Sequence, residues 1–337
     1  MDHRPGRDAP PRQGNAEVVL LDGGLATTLE AAGHDLSGPL WSARLLREDP
    51  GAIVAAHRAF LAAGAEVVTT ASYQLSAIGL RSTGGAERDS DRLLARSVEL
   101  ARDAITAHLA EREHGARDRA ASPQRGADDR QRPPRVAASV GPYGAVLADG
   151  SEYRGAYGRP VDELVDFHAP RVAALLAAGP DLLAVETIPS GTEVAALARV
   201  LADVDVPAWV SVTVGRDGAT TPEGQPLREA LAPALEVAAV VSVGVNCCPP
   251  GVATRALGVL ADACDHPLVV YPNVGDTWDA EARGWRPGAG GDVQAELPRW
   301  LAEGARMIGG CCGTNPEHLA RLASALDDTV QQRVRER

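Results

Sequence analysis

The feature that most constrains the fold is the regular alternation of short apolar runs with helical stretches along the chain. Eight runs are typical of strands: 18–21, 65–71, 136–140, 182–187, 208–214, 240–246, 268–271 and 307–310. They are almost continuously apolar, as expected for parallel strands covered by helices. Eight such strand–helix units in one chain predict a parallel, eight-stranded (β/α)8 TIM barrel. An open doubly wound sheet is the alternative, but no Gly-x-Gly-x-x-Gly motif follows the first strand.

The composition predicts one barrel with a polar segment at each end and one insertion. Residues 1–16 are rich in Pro, Arg and Asp and read as a disordered tail without the apolar core of a secretory signal. The barrel is expected to occupy 17–325, followed by a C-terminal tail at 326–337. Residues 114–134 carry no large apolar side chains and are predicted to form a flexible insertion.

Charge and hydropathy exclude two classes of partner. The formal net charge of −12 argues against nucleic acid, which a basic surface would have to meet. No apolar run reaches the roughly 18 residues that a membrane-spanning helix needs. Both properties leave small-molecule substrates open as partners, and the sequence does not give the oligomeric state.

Four of the five cysteines lie in two doublets that end predicted strands. This pattern suits a reduced, cytoplasmic chain with a metal or reactive thiols better than a disulfide framework. The later doublet is Cys311-Cys312, and neighbours in a regular strand point to opposite faces. We expect Gly309, Gly310 and Gly313 to supply the unusual backbone angles that would turn both thiols to one side.

The earlier doublet, Cys247-Cys248, would bring a third thiol to the same end of the barrel, where the active sites of this fold lie. Either cysteine of this pair could be the ligand. Three thiols with a free fourth position favour a catalytic Zn2+. Buried free cysteines or a redox pair remain the alternative.

Two acids lie at the same end of the barrel, one just after the first predicted strand and one near the end of the fourth. Asp22 precedes two glycines and could equally be a plain turn residue. Glu186 ends an apolar run and is expected to be buried at the barrel mouth. A buried carboxylate needs a partner, and a substrate ammonium group is one candidate.

The chain resembles the homocysteine S-methyltransferases over about residues 17–325. The motifs that carry the resemblance, in order, are Leu21-Asp22-Gly23-Gly24-Leu25-Ala26-Thr27, Thr69-Thr70-Ala71-Ser72-Tyr73-Gln74, Glu186-Thr187-Ile188, Gly244-Val245-Asn246-Cys247 and Gly309-Gly310-Cys311-Cys312-Gly313-Thr314. The last two motifs together are highly specific. The resemblance implies a zinc-dependent (β/α)8 barrel.

The resemblance also implies roles for individual residues. The zinc ligands would be Cys247, Cys311 and Cys312, with Cys248 a bystander. Homocysteine would be held by Asp22, Gly23, Gly24 and Glu186. Tyr73 and Asn246 are further candidates for substrate binding, and Tyr73 or Trp41 would face a sulfonium group through a cation–π contact.

The resulting hypothesis is methyl transfer from a sulfonium donor to the thiolate of L-homocysteine, giving methionine. The 69–74 motif looks most like the enzymes that use S-methyl-L-methionine, and S-adenosylmethionine is a second sulfonium. No catalytic residue is expected beyond the metal-activated thiolate. The alternatives are a betaine-dependent member of the family and a non-catalytic thiol or metal sensor. A zinc hydrolase is disfavoured by the all-thiolate ligand set.

Overall fold

The computed structural model describes residues 17–36, 41–82, 84–86, 88–120, 133–275, 277–279, 284–286 and 291–335. Eight parallel strands form one sheet, in the spatial order β1-β10-β7-β6-β5-β4-β3-β2. These strands are β1 (Val19–Leu20), β2 (Val67–Thr69), β3 (Arg135–Val140), β4 (Leu182–Ile188), β5 (Ala208–Val212), β6 (Val240–Asn246), β7 (Leu268–Tyr271) and β10 (Ala305–Ile308). A bridge between Leu21 and Val67 joins the first strand to the second and closes the barrel.

Eight helices surround the strands: α3 (Pro50–Ala62), α5 (Asp89–Ala120), α7 (Val161–Ala177), α8 (Gly191–Leu201), α9 (Leu227–Leu235), α10 (Pro250–Ala261), α11 (Val293–Ala302) and α12 (Pro316–Arg335). Each contacts the next, and α12 returns to contact α3, so the outer layer is also a closed ring. The prediction of a (β/α)8 barrel is therefore confirmed. The described residues include no helix long and apolar enough to cross a membrane.

Shorter elements lie between these strands and helices along the chain. The short helices are α1 (Leu25–Ala31), α2 (Leu45–Glu48), α4 (Ala77–Ser82) and α6 (Tyr143–Leu147), with 3-10 turns at Trp41–Arg44 and Ser151–Tyr153. An antiparallel pair, β8 (Thr277–Asp279) and β9 (Gly284–Arg286), lies between β7 and α11 in the chain.

Local sequence explains where several elements begin. Asp49 caps α3, because its carboxylate accepts a hydrogen bond from the backbone nitrogen of Ala52 at 3.1 Å, and Pro50 occupies the first helical turn. Ser190 caps α8 in the same way, accepting from the nitrogen of Glu193 at 3.2 Å. All eight predicted strands are present, and β6 and β7 have the predicted bounds.

Two chain segments differ from the sequence-based boundaries. Helix α5 continues to Ala120, into the first residues of the predicted insertion at 114–134, because alanine and arginine between 116 and 120 favour helix. Helix α12 runs across the expected boundary at 325 and reaches Arg335. The predicted N-terminal tail at 1–16 and most of the predicted insertion, at 121–132, lie outside the described residues.

The barrel interior is filled by side chains rather than open. Its inner cluster consists of Leu21, Val67, Ala137, Leu182, Ala184, Trp209, Val269, Tyr271 and Met307. Trp209 is fully buried, and its indole nitrogen donates to the hydroxyl of Tyr271 at 2.9 Å. A larger apolar core of mostly Ala, Val and Leu lies between the strands and the helices. Side chains therefore fill the described barrel interior below its mouth.

Close packing of β6 against β7 explains one strand glycine. A Cβ on Gly244 would overlap the carbonyl oxygen of Val269, so only glycine fits at this position. In contrast, a Cβ on Gly258, within α10, would meet no atom within 4 Å.

We therefore expect Gly244→Ala to lower the free energy of unfolding by about 1–3 kcal/mol, because the two strands must separate to admit a methyl group. Gly258→Ala is the control and should stabilise the protein by roughly 0.5–1 kcal/mol through helix propensity. Urea denaturation of both variants measures the difference. Equal stability of Gly244→Ala and the parent protein would contradict the packing described.

Candidate functional site

A cavity opens at the carboxyl end of the barrel strands, as expected for this fold. Its walls include Leu21, Asp22, Gly23, Gly24, Thr27, Thr69, Tyr73, Gln74, Ser139, Tyr153, Glu186, Thr187, Cys247, Tyr271, Gly310, Cys311 and Cys312. These residues follow seven different strands. The structure thus brings the two predicted acids and three of the predicted thiols into one cavity.

Three thiols converge in this cavity. The sulfur atoms of Cys247, Cys311 and Cys312 all lie within 4.8 Å of one another, and the sulfurs of Cys247 and Cys312 are 3.6 Å apart. Two thiolates on one tetrahedral zinc, each about 2.3 Å from the metal, lie roughly 3.8 Å apart. The cluster therefore has the donor atoms and the spacing of a metal-binding group.

The doublet at the end of β6 is divided between two environments. Cys247 has a positive φ of 50°, an unusual angle for a residue with a Cβ, and its sulfur lies in the cluster. Cys248 instead packs into the apolar core, where burial raises the pKa of its thiol to about 12. The structure thus brings Cys247, and not Cys248, into the thiol cluster.

The glycines around the second doublet act differently from our expectation. Only Gly313 has a positive φ, of 80°, so the expectation was wrong for Gly309 and Gly310. Their importance is close approach. A Cβ on Gly309 would lie 2.7 Å from that of Leu21, and one on Gly310 would overlap the side chain of Thr314.

Hydrogen bonds within the cluster separate the three thiols in acidity. Hydrogen bonding with Cys311 and Cys312 lowers the pKa of Cys247, whereas hydrogen bonding with Cys247 raises the pKa of both neighbours. The hydroxyl of Tyr153 lies 3.8 Å from the sulfur of Cys247 and lowers its pKa further. Cys247 is therefore the thiol that most readily ionises.

Asp22 is a buried acid held by one residue of β2. Its carboxylate accepts from the backbone nitrogen of Thr69 at 2.8 Å and from the Thr69 hydroxyl at 2.8 Å. Burial raises the pKa of Asp22 to about 8 against these hydrogen bonds, and the charge of Glu186 raises it further. Asp22 is thus a positioned cavity acid rather than a plain turn residue.

Glu186 is the second buried acid. The hydroxyl of Ser139 donates to its carboxylate, and Tyr271 donates a further hydrogen bond. Burial raises the pKa of Glu186 to about 7, with a smaller contribution from Cys311. Among the described residues that line the cavity, none carries a cationic side chain. A cationic ligand would therefore be favoured.

Asn246 lies beneath the cavity rather than on its wall. It is fully buried, and its amide oxygen accepts from the nitrogen of Thr187 at 2.8 Å and from the hydroxyl of Ser211 at 2.9 Å. Its amide nitrogen donates to the Thr187 hydroxyl at 2.7 Å and lies 3.9 Å from the sulfur of Cys311. Asn246 thus connects the strand end that carries Glu186 to the thiol cluster.

Thr187 adopts an unfavourable backbone conformation at this connection. Its φ is 62°, which is rare for a β-branched residue, and such conformations persist only where surrounding contacts fix them. The two hydrogen bonds between Thr187 and Asn246 supply those contacts.

Gly23 and Gly24 line the cavity as predicted candidates. The nitrogen of Gly24 donates to the carbonyl of Thr314 at 2.9 Å, and a Cβ on Gly23 would lie 2.7 Å from the ring of Phe60. Both glycines therefore allow the first strand end to approach the last. Tyr73 also lines the cavity, whereas the side chain of Trp41 lies outside the described part of the chain.

Several residues of the site were missed by sequence reasoning. They are Thr69, Ser139, Tyr153 and Tyr271, which line the cavity, together with the buried Glu152 next to Tyr153 in the chain. Thr69, Ser139 and Tyr271 do lie at or near the carboxyl ends of predicted strands, so their position was a usable signal. Tyr153 and Glu152 lie in the 3-10 turn between β3 and α7 and carry no comparable signal.

Fold and site together define a (β/α)8 barrel with a three-cysteine metal-binding group at its mouth. The family model described as homocysteine S-methyltransferase matches residues 19–326. The chain belongs to the homocysteine S-methyltransferase family.

Named relatives and solved structures agree over nearly the whole chain. The Escherichia coli homocysteine S-methyltransferase is 45% identical over 91% of this chain and 94% of its own length. The Bacillus subtilis homocysteine S-methyltransferase YbgG is 38% identical, with the same shares covered. The metallated form of the homocysteine methyltransferase MmuM from Escherichia coli superposes with a TM-score of 0.77 at 43% identity, covering 92% of this chain and 96% of that one.

Glu152 offers a test of the electrostatics beside the cavity. It is 1% exposed, and one carboxylate oxygen finds no partner among the described residues. Burial raises its pKa from 4.5 to about 8, with a smaller contribution from Asp149. The folded protein therefore binds this proton more tightly than the unfolded chain, and stability is lost as the pH rises from about 4.5 to about 8.

We expect Glu152→Gln to gain stability relative to the parent protein as the pH rises, by on the order of a few kcal/mol at pH 9, with the gain vanishing towards pH 4.5. Unfolding midpoints measured at both pH values provide the comparison. Glu113→Gln, an exposed change on α5, is the matched control. A difference that does not vary with pH would refute the burial argument.

Proposed function

We propose that this protein transfers a methyl group from a sulfonium donor to L-homocysteine and so produces methionine. The observation that carries the proposal is the convergence of three thiols and two buried acids in one cavity of a chain that belongs to this family. A thiol substrate suits the soft metal site, and an amino-acid ammonium group suits the acids.

Zn2+ held by Cys247, Cys311 and Cys312 is the proposed cofactor. Zinc accepts thiolate ligands in tetrahedral geometry, the 3.6 Å separation of two sulfurs fits that geometry, and three protein ligands leave a fourth position for a substrate. When bound, zinc would lower the pKa of the homocysteine thiol so that the reactive thiolate forms near neutral pH.

The protein's own groups would orient homocysteine. Asp22 and Glu186 are proposed to accept hydrogen bonds from its ammonium group, because both carboxylates line the cavity without a cationic partner there. An incoming cation favours their ionised forms and so opposes the effect of burial. Asn246, which lies below the wall, is proposed to position Glu186 and the thiols rather than to touch the substrate.

The donor is proposed to approach from the side of Tyr73, whose ring would face the positively charged sulfur through a cation–π contact. The homocysteine sulfur forms a bond to the methyl carbon, the bond from that carbon to the donor sulfur breaks, and its electron pair stays on the donor sulfur. With S-methyl-L-methionine as donor, both products are methionine. Holding the three reacting atoms in line is the main work of the cavity walls.

We propose a reducing compartment such as the cytoplasm for this protein. The sulfurs of Cys247 and Cys312 lie 3.6 Å apart, and all five cysteines are free thiols. Oxidation of the cluster would remove the metal ligands.

The direct test is methionine formation by the reduced, zinc-loaded protein. Homocysteine is offered with S-methylmethionine, S-adenosylmethionine, betaine or methyltetrahydrofolate in separate reactions. We expect turnover with a sulfonium and none with the other donors. Binding of homocysteine without transfer from any donor would instead favour a thiol or metal sensor.

The same assay includes Cys311→Ser, which should lose zinc and turnover together because a hydroxyl replaces a soft thiolate ligand. Cys248→Ala is the matched control, since Cys248 lies outside the cluster, and it should retain one zinc. Zinc is measured by elemental analysis of each purified protein. Normal turnover by a zinc-free Cys311→Ser protein would contradict the proposed role of zinc.

Glu186→Gln should separate substrate binding from metal binding. We expect the KM for homocysteine to rise about tenfold or more, because a hydrogen bond between charged groups is replaced by a weaker one, while zinc stays bound. Glu236→Gln, an exposed change after α9, is the control. Loss of zinc in the Glu186 variant would assign that residue a structural role instead.

A further inference from the structure

The cavity has a second wall that the bound amino acid of the proposed function leaves unused. Asp22, Glu186 and the thiols lie near the carboxyl ends of β1, β4, β6 and β10, whereas Tyr73 and Gln74 follow β2. Methyl transfer needs a second substrate in the same cavity, so this wall is available to the donor.

Gln74 presents a polar group to the cavity from a buried position. It lines the cavity although only 4% of its surface is exposed. Its amide nitrogen donates to the carbonyl of Ala145, in α6, at 3.3 Å. Its amide oxygen accepts no hydrogen bond from the residues that the structure describes, and this atom is not fully buried. That oxygen is therefore accessible from the cavity.

A buried arginine fixes the backbone on both sides of Gln74. Arg171, on α7, donates to the carbonyls of Tyr73 and Leu75, each at 2.9 Å, and to the carbonyl of Gly141 at 3.0 Å. Arg171 is 3% exposed, and its guanidinium stacks 5.0 Å from the ring centre of Phe167. One planar group thus ties the loop after β2 to the loop after β3.

We propose that Gln74 determines donor specificity by accepting a hydrogen bond from the α-ammonium group of an amino-acid sulfonium, and that Arg171 is its positioning residue. The proposal rests on the proposed function, because it assigns the donor subsite of that reaction. An amide oxygen recognises an ammonium group without adding a third negative charge to a cavity that already holds two acids.

The fixed backbone explains why Arg171 matters for recognition. A free glutamine side chain would lose rotamer entropy on binding, whereas Gln74 is already held through Ala145 and through both flanking carbonyls. Lysine at position 171 keeps the charge but not the planar fork that reaches three carbonyls.

The test compares two sulfoniums at saturating homocysteine. S-methylmethionine carries an α-ammonium group and dimethylsulfoniopropionate does not. We expect Gln74→Leu to lower kcat/KM for S-methylmethionine about 10- to 100-fold, the range for a hydrogen bond to a charged group. The KM for homocysteine, the zinc content and the inhibition constant of dimethylsulfoniopropionate should stay within about twofold. Gln74→Glu keeps an acceptor oxygen and should restore most of kcat/KM.

Arg171→Lys tests the positioning role. Its loss of kcat/KM should be smaller in the Gln74→Leu background than in the parent protein, because both changes remove the same contact. Arg255→Lys is the matched control, since Arg255 also donates to three backbone carbonyls, those of Arg216, Asp217 and Gly251, but lies outside the cavity wall. Gln294→Leu, at an exposed position of α11, is the matched control for Gln74→Leu.

Two results would overturn the inference. An equal loss of affinity for both sulfoniums in Gln74→Leu would show that Gln74 does not recognise the ammonium group. Additive effects of Gln74→Leu and Arg171→Lys would show that Arg171 does not act through Gln74. Failure of the proposed function would give a different result, because the parent protein itself would then transfer no methyl group from any sulfonium.

Discussion

The site depends on how closely the first strand of the barrel approaches the last. The nitrogen of Gly310 donates to the carbonyl of Asp22 at 3.0 Å, and the nitrogen of Gly24 donates to that of Thr314 at 2.9 Å. These bonds require that neither strand end carries bulk at the contact, and Gly309 and Gly310 meet that requirement. Because the two backbones touch, the acid on one and the thiols on the other share a cavity.

Charge is the second organising property of this cavity. Two carboxylates and a readily ionised thiol lie together in it. Burial raises the pKa of both acids, and no cationic side chain among the described lining residues offsets their charge. Such a site is costly when empty and gains when it receives cations, whether a metal ion, an ammonium or a sulfonium group. The polar neighbours Thr69 and Ser139 hold the acids in place without neutralising their charge.

The sequence predicts the barrel, the positions of its strands and the residue types of the site, because apolar runs and chemically distinctive residues are local properties. It could not assign partners to those residues. The bonds from Thr69 to Asp22 and from Thr187 to Asn246 join segments 47 and 59 residues apart, and their geometry follows from strand register. Gly309 and Gly310 show the same limit. The sequence identifies them, but whether they are needed for unusual backbone angles or for close approach depends on the neighbouring residues in the fold.

The wide separation of the site residues in the chain has a consequence for folding. The bond from Gly313 to the hydroxyl of Thr27 spans 286 residues, and the seam between β1 and β10 is made of contacts with similar separations. Such contacts carry a high loop-closure entropy and form late, after the local strand–helix units. A nascent chain that still lacks β10 has Asp22 and Cys247 but no cavity between them. The ability to bind a ligand is therefore gained only when the barrel closes.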